Sequence, residues 1–181
     1  FIRYLVEHGH EVLVVSNEDS VDADAQAVSI APRHSGWRWV PSPIRFLRRY
    51  ARLRSVLRSW APDVVNVHYV SLDGVFLNFV WSGPTVLSFY GSDVLQLKRA
   101  PRLIRALMPR AVRRATLVHS FSDEMSEGLI DLGANPAKIR MFHYGLDLDV
   151  FEFSGTEKSA GWIVSTRFLE SFYRIDVIIQ A

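Results

Sequence analysis

Short apolar segments along the chain predict buried β-strands. Within each segment the hydrophobic residues follow one another without polar alternation, as expected for parallel strands that are covered on both faces. The segments are Glu11–Val15, Asp63–Val67, Thr85–Phe89, Thr116–His119, Ile139–Phe142 and Trp162–Ser165. The run Ala27–Ile30 is a further candidate.

Hydrophobic residues at helical spacing predict amphipathic helices between these strands. Residues 44–60 carry a single apolar stripe whose members recur at steps of four and three. The stripe consists of Phe46, Tyr50, Leu53, Leu57 and Trp60. A second helix is predicted over Pro101–Ala115. A third begins after Ser122, whose side chain can cap it, runs to Leu132 and ends at Gly133.

Strands that alternate with helices at this spacing predict an α/β fold. The expected architecture is an open, mostly parallel sheet with helices on both faces. Residues 152–160 have the polar composition of a linker, which separates one domain over residues 1–151 from the start of a second over residues 161–181. The first predicted element is a helix that is already under way at the start of the sequence and ends at Gly9. The last predicted element, Asp176–Ala181, stops without a helix cap. We therefore interpret the sequence as a fragment truncated at both ends.

The composition excludes several classes of protein. With 49% hydrophobic and 22% charged residues, the chain matches globular proteins with a core rather than disordered ones. No apolar run approaches the ~18–20 residues of a membrane-spanning helix. The chain has no cysteine, which excludes disulfides and a cysteine nucleophile and fits a reducing compartment. The six histidines do not cluster at ligand spacing, so no metal site is predicted.

Polar residues directly after the predicted strands are the candidate ligand-binding positions. Ligands of open parallel sheets gather at the carboxyl ends of the strands. The segments selected by this rule are His68–Tyr69, Tyr90–Asp93, Ser120 and Tyr144–Asp147. Gly91 permits close approach of the backbone to a phosphate or a sugar hydroxyl. For Tyr90–Asp93, the alternative to ligand binding is a tight turn in which Asp93 caps the next segment. For the segment that starts at Gly145, the alternative is a loop that is anchored by Phe151.

Basic residues are concentrated in two of the predicted helices. No acidic residue lies between Asp24 and Asp63, and a second basic cluster runs from Lys98 to Arg114. An arginine-rich amphipathic helix can lie on an anionic membrane surface. The residues predicted to face that membrane are Arg45, Arg48, Arg49 and Arg52. The alternative is a solvated helix face. Nucleic-acid binding is not predicted, because no binding motif or aromatic platform accompanies the charge.

Taken in order, several segments resemble the family-4 retaining glycosyltransferases of the GT-B fold. These segments are Pro62–His68, Leu87–Val94, the stretch from Ser120 to Phe151, Ser165–Glu170 and Asp176–Ala181. The first is similar to the family's strand that starts with Pro-Asp and ends in His, and the second to its His-Gly-x-Asp loop. The third resembles the close of the first domain, and the last two resemble the opening strand and helix of the second. Residues 1–60 agree in layout only, and the resemblance implies that the family's first strand is missing.

The resemblance implies two Rossmann-like domains that hold an acceptor and a nucleotide-sugar donor on opposite sides of a cleft. It implies a metal-independent transfer with retention, and no cofactor beyond the nucleotide-sugar substrate. The site residues implied are Tyr90 and Asp93 for catalysis; His68, Gly91, Ser92, Gly145 and Asp147 for the acceptor; and Arg167 and Arg174 for the donor. In this family an arginine at the position of Arg167 contacts the donor diphosphate, and a guanidinium suits bidentate binding of phosphate.

Three positions depart from the family's pattern. Tyr90 stands where the family usually has a histidine, and tyrosine cannot become a cation near neutral pH. Tyr144 replaces the usual asparagine. The usual phosphate-binding lysine is missing, which leaves Arg174, after Tyr173, as the basic candidate near its place.

The resemblance predicts the acceptor-side part of a hexosyltransferase-like glycosyltransferase, and the basic helices favour a glycan or a lipid-linked acceptor. The expected location is the cytoplasm, with peripheral attachment to the inner membrane face, and the fragment alone is expected to be inactive. One alternative is a UDP-sugar epimerase of the same GT-B architecture. The other is a non-catalytic scaffold at a membrane surface.

Overall fold

The structure is a computed structural model that describes residues 2–16, 25–30, 42–145, 148, 150, 151, 155, 161, 164–167, 169 and 173–180. The chain divides into two compact units, residues 1–143 and 144–181. Of the predicted linker 152–160, the described part is Gly155. The assignment of residues 1–151 and 161–181 to separate domains therefore stays a prediction.

The described elements alternate between strands and helices. The strands are β1 (Leu13–Ser16), β2 (Gln26–Ser29), β3 (Val65–His68), β4 (Thr85–Ser88), β5 (Leu117–Ser120) and β6 (Ile139–Met141). The helices are α1 (Ile2–Glu7), α2 (Ser42–Trp60), α3 (Leu72–Val80), α4 (Ser92–Leu95), α5 (Arg102–Arg114), α6 (Asp123–Asp131) and α7 (Ile175–Gln180). Short 3₁₀ turns cover Leu97–Arg99 and Pro136–Lys138.

All pairings between the described strands are parallel, which confirms the predicted α/β class. The strands β1 and β2 form one sheet, and β3, β4, β5 and β6 form a second sheet in that order. The described strands thus lie in two sheets rather than one. In the larger sheet His68 lies opposite Ser88, and Ser88 lies opposite His119. This register brings the carboxyl ends of β3, β4 and β5 to one edge.

Two segments differ from the sequence-based expectation. The helix α3 was not predicted, because its run Val75–Val80 is almost entirely apolar and carries no polar stripe. Such a run does not distinguish a buried helix from a buried strand. A strand was predicted over Trp162–Ser165, but Val164 and Ser165 are not in a strand. The other two residues of that segment lie outside the described residues.

Two clusters of buried side chains form the core of the first unit. The larger one packs α5 and α6 against β4 and β5, and includes Leu87, Met108 and Leu129. The smaller one packs the apolar stripe of α2 against α3 through Tyr50 and Leu77, among others. The Tyr50 hydroxyl donates a hydrogen bond to the Leu72 carbonyl at 3.2 Å, and burial raises the pKa of Tyr50 to about 12.

The predicted ends of α6 are confirmed. The Ser122 hydroxyl oxygen accepts a hydrogen bond from the Met125 amide at 3.2 Å and caps the helix. After the last turn Gly133 adopts a φ of 97°, the left-handed conformation that favours glycine.

Candidate functional site

The loops that follow β3 and β4 meet at one edge of the larger sheet. Both strands end side by side, so the segments 69–71 and 89–91 leave the sheet as neighbours. Three contacts join the two loops, those of Asp93 with Val70, His68 with Tyr90, and Tyr69 with Ser92. Of the predicted site residues, the structure brings together His68, Tyr90, Gly91, Ser92 and Asp93.

The Asp93 carboxylate accepts hydrogen bonds from backbone amides of both loops. One oxygen accepts from the amides of Tyr90 and Gly91, each at 3.0 Å, and the other accepts from Val70 at 3.1 Å. Burial raises the pKa of Asp93, while these amide hydrogen bonds favour the charged form. The carboxylate thus ties the loops together, and the catalytic role expected of it stays a prediction.

His68 and Tyr90 form a hydrogen-bonded pair. The Nδ1 atom of His68 lies 2.7 Å from the Tyr90 hydroxyl oxygen. Partial burial, and then the positive charge that the nearby His119 ring can carry, lower the pKa of His68 and favour its neutral ring. When Nε2 carries the proton, Nδ1 accepts the Tyr90 hydroxyl hydrogen. The phenol oxygen then keeps its lone pairs for a hydroxyl group of a ligand.

Tyr69 and Ser92 form a second pair beside the first. Their hydroxyl oxygens lie 2.7 Å apart, and Tyr69 adopts a φ of 59°, an unusual conformation for a tyrosine. Gly91 adopts a φ of 112°, and a Cβ there would meet no atom within 4 Å. Glycine is therefore favoured at position 91 by backbone conformation, and the space beside it is open.

A row of aromatic rings borders these hydroxyl groups. Ring centroids lie 6.2 Å apart for Tyr69 and Tyr90, 5.4 Å for Tyr90 and Phe121, and 6.2 Å for Phe121 and His143. Tyr69 and Tyr90 are about half exposed. The sequence-based choice of site residues missed Phe121 and His143. The available signal was their position directly after β5 and two residues after β6.

Two polar residues at the end of β5 have structural partners. His119 is buried, its Nε2 lies 2.9 Å from the Phe142 carbonyl oxygen, and its ring stacks on the Phe142 ring at 3.8 Å. The Ser120 hydroxyl donates to the Ser122 carbonyl at 2.9 Å. These contacts fix the turn that carries Phe121.

Two predicted acceptor residues lie in the second unit. Gly145 is exposed, and a Cβ there would meet no atom within 4 Å. Asp147 lies outside the described residues. Their role in acceptor binding stays a prediction.

The two predicted donor-binding arginines both lie in the second unit. The Arg167 guanidinium lies over the Tyr173 ring, 5.5 Å from its centroid. Arg174, the next residue after that tyrosine, has its Nε 3.3 Å from an Asp176 carboxylate oxygen. Both arginines are exposed. The Arg167 guanidinium thus lies beside the residue that precedes Arg174 in the chain.

The arginines predicted to face a membrane lie on α2. Arg45, Arg48 and Arg52 are exposed, whereas Arg49 is half-buried. The apolar stripe of the helix packs on the protein, with the Phe46 ring centroid 4.8 Å from that of Phe76. Because that stripe is covered, a membrane would meet the other sides of α2.

Within the described ranges, no group of three or more histidine, aspartate or glutamate side chains could hold a metal ion. None of the helices in the described part of the chain has the length and apolar character needed to cross a membrane.

Comparison with known proteins found a matching family model and several similar solved structures. A family model described as Glycosyltransferase Family 4 matches residues 1–150. Anabaena HepE in complex with UDP and glucose is similar, with a TM-score of 0.58 and 15% identity over 84% of this chain and 42% of its own. The same protein in complex with UDP-glucose gives a TM-score of 0.54 and 16% identity, over 78% and 38% of the two chains.

UDP-GlcNAc 2-epimerase from Methanocaldococcus jannaschii is also similar, with a TM-score of 0.54 and 15% identity over 77% of this chain and 40% of its own. The chain therefore spans about two fifths of the length of these structures. At this identity the likeness shows the fold, and it confirms the predicted GT-B type. No curated protein matches the sequence.

Proposed function

Because the chain belongs to glycosyltransferase family 4, we propose that it forms the acceptor-side part of an enzyme that transfers a sugar from a nucleotide-sugar donor. The proposed acceptor is a glycan or a lipid-linked sugar. The proposed transfer retains the anomeric configuration and uses neither a metal ion nor a further cofactor.

The observation that carries this proposal is the shared edge at which His68, Tyr69, Tyr90 and Ser92 meet. Hydroxyl groups and aromatic rings alternate there, and a sugar offers hydroxyl groups at its rim and apolar C–H groups on its faces. Hydroxyls of Tyr69 and Ser92 can bond the rim, while exposed tyrosine rings can cover a face.

The proposed role of Tyr90 is to orient the acceptor. With its proton directed at His68, its phenol oxygen can accept a hydrogen bond from the acceptor hydroxyl that attacks the donor sugar. Asp93 holds the loop that carries Tyr90. This arrangement uses a neutral pair where the family's pattern has a histidine.

The proposed donor contact is Arg167. A guanidinium can bind the departing diphosphate through two parallel hydrogen bonds and stabilise the charge that develops on it. Arg174 forms an ion pair with Asp176, which makes Arg167 the stronger candidate for the primary contact with the diphosphate.

A calorimetric titration of the whole protein with UDP-, GDP- and ADP-sugars tests the donor side. We expect micromolar binding of one nucleotide class, weakened at least about tenfold by Arg167→Ala, because a hydrogen bond to a charged group contributes about 1.5–3 kcal/mol. Arg102→Ala removes an exposed arginine of α5 and serves as the matched control. Absence of binding to all three classes would contradict the proposal.

Variants at the strand-end edge test the acceptor side separately. Tyr90→Phe and His68→Gln should lower the rate of sugar transfer while leaving nucleotide affinity unchanged. Equal loss of donor affinity and transfer would instead place this pair on the donor side.

An epimerase is the second candidate, and it is favoured by the likeness to the UDP-GlcNAc 2-epimerase structure. An epimerase converts a UDP-sugar without any acceptor, whereas a transferase needs one. Incubation with a UDP-sugar alone, followed by chromatography of the products, distinguishes these activities.

A scaffold without catalytic activity would bind anionic vesicles but no nucleotide. We further propose a cytoplasmic location with peripheral attachment to the inner membrane face.

A further inference from the structure

The helices α2 and α5 carry an unbalanced positive charge. Six arginines lie in α2 and five in α5, and neither helix contains an aspartate or a glutamate. The whole chain has a formal net charge of only +2, so acidic residues outnumber basic ones outside these two helices. The basic charge is therefore a local property of this helical layer.

The helix α3 packs against both α2 and α5 and leaves a large apolar side chain exposed between them. Phe79 is 54% exposed, and it lines a groove of about 490 Å³ together with Arg54 and Arg58 of α2. From the other side, the Arg110 guanidinium of α5 lies over the Phe79 ring, 5.9 Å from its centroid. One exposed ring is thus bordered by arginines of two different helices.

Exposed leucines extend this surface along α2 and α5. Leu47 is 66% exposed and lies two helical turns before Arg54 on the same side of α2. Leu103 is 52% exposed and has the same relation to Arg110 on α5. The basic apolar face consists of Leu47, Arg54, Arg58, Phe79, Leu103 and Arg110. In the described part of the chain, no carboxylate forms an ion pair with the arginines of this face.

We propose that the basic apolar face docks on an anionic lipid membrane. Arginines attract anionic headgroups, and exposed Leu and Phe side chains can enter the boundary between headgroups and acyl chains. A soluble polyanion such as a nucleic acid would use the charge but would gain little from the three apolar side chains. The sequence pointed to Arg45, Arg48, Arg49 and Arg52, which lie on a different side of α2 because of the helical period. This docking rests on the peripheral attachment proposed above, for which it names the surface, but it does not depend on the proposed transferase activity.

Flotation of the 181-residue chain with lipid vesicles tests the charged part of the face. In 0.1 M NaCl we expect binding to vesicles of phosphatidylcholine with 30% phosphatidylglycerol, and none to pure phosphatidylcholine. Each basic residue near such a surface contributes about fivefold to binding, so the triple variant R54E/R58E/R110E should bind about 100-fold more weakly. The matched triple variant R45E/R48E/R52E should remain within about fivefold of the native chain.

Loss in both triple variants to the same extent would overturn the proposal, because the face would then have no special role. Loss in the matched variant alone would also overturn it, and would place the contact on the other side of α2. Failure of the native chain to bind the anionic vesicles would overturn it as well. The thermal unfolding of every variant is followed by circular dichroism, and exposed positions should leave it unchanged.

Apolar substitutions distinguish a membrane from another polyanion. The triple variant L47S/F79S/L103S should bind anionic vesicles about tenfold more weakly, whereas L95S/L148S/L169S, at exposed leucines elsewhere, should bind normally. Duplex DNA is the comparison ligand. Equal affinity of the native chain for DNA and vesicles, with no effect of the first triple variant, would overturn the lipid assignment.

A fluorescent label locates the contact without changing its charge. Because the chain has no cysteine, Asn78→Cys in the groove and Glu127→Cys on α6 can each carry one environment-sensitive dye. Anionic vesicles should shift the emission of the first label to shorter wavelength and leave the second unchanged. A shift of the second label alone, or of neither label, would overturn the proposed orientation.

Discussion

Asp93 joins two loops that are more than 20 residues apart in the sequence. Its two carboxylate oxygens accept hydrogen bonds from the amides of Val70, Tyr90 and Gly91. Backbone amides that lose their acceptor cost free energy unless water replaces it. The position of the Tyr90 phenol therefore depends on a carboxylate that is itself turned toward the backbone.

Replacing Asp93 tests this dependence. We expect Asp93→Ala to lower the free energy of unfolding by about 2–4 kcal/mol, because three amides lose their acceptor. Urea denaturation followed by circular dichroism measures the change. Asp131→Ala, at an exposed aspartate at the end of α6, should change the free energy by less than about 0.5 kcal/mol. Equal effects of the two substitutions would contradict the proposed tie.

The lowered pKa of His68 predicts a dependence of stability on pH. Because the native ring resists protonation, the unfolded chain binds more protons below pH ~6.5, and stability rises with pH in this window. The contribution of the neutral His68 ring to stability is present above pH ~6.5 and is lost as the pH falls through the lower pKa of the native state. Since more than a third of the side chain is exposed to solvent, which screens such interactions, we expect this pH dependence of stability to be small.

An NMR titration of the His68 ring should give a midpoint below ~6.5, with the signal assigned by its loss in His68→Gln. Unfolding free energies of that variant at pH 5.5 and 7.5 should differ less than those of the native chain. Identical pH dependence in both chains would contradict the prediction.

At the scale of elements, the ends of strands and helices determine what can be placed at the site. β3, β4 and β5 end at one edge, and each is followed by an aromatic residue of the ring row, one or two positions on. The turn after β5 also begins α6, so the cap at Ser122 fixes the segment that carries Phe121. The turn at residues 121–122 therefore both caps α6 and places an aromatic ring at the edge of the sheet.

The cap of α6 can be tested by two substitutions at one position. Ser122→Ala should lower the free energy of unfolding by about 1 kcal/mol, because the Met125 amide loses its acceptor. Ser122→Asp keeps an oxygen acceptor and should remain within about 0.5 kcal/mol of the native chain. Thermal and urea unfolding provide the measurement. A loss of equal size in both variants would argue against a capping role.

At the scale of the whole molecule, the hydrophobic core belongs to one of the two units. Both clusters of buried side chains lie within residues 1–143. The second unit holds α7 and the arginines expected to bind the donor, and its described residues include no buried side chain. Stability and the proposed donor contact are thus carried by different parts of the chain.

Residues 1–143 expressed alone should fold. We expect the circular dichroism spectrum of an α/β protein and a cooperative thermal transition within about 5 °C of that of the 181-residue chain, because both core clusters are retained. Nucleotide binding is not expected of this piece, since it lacks Arg167. A broad transition or exposed hydrophobic surface, detected by dye binding, would show that the second unit is needed for folding.

The sequence alone determined the class of the fold, the ends of most elements and the family. These features depend on local periodicity and on short segments such as Leu87–Val94, which a linear chain displays directly. The sequence also identified the edge of the sheet at which the candidate site lies, since polar residues follow the apolar runs there. It missed α3, because a continuous apolar run shows no period.

Only the tertiary structure decided which of these residues meet. The pairing of His68 with Tyr90, of Tyr69 with Ser92, and of Asp93 with Val70 joins residues 22 or 23 positions apart. Likewise, the arginines around Phe79 come from α2 and α5, and no sequence period links them. Such contacts depend on the register of parallel strands and on the packing of helices side by side. Local sequence patterns do not encode them, because each involves two segments separated by a complete crossover.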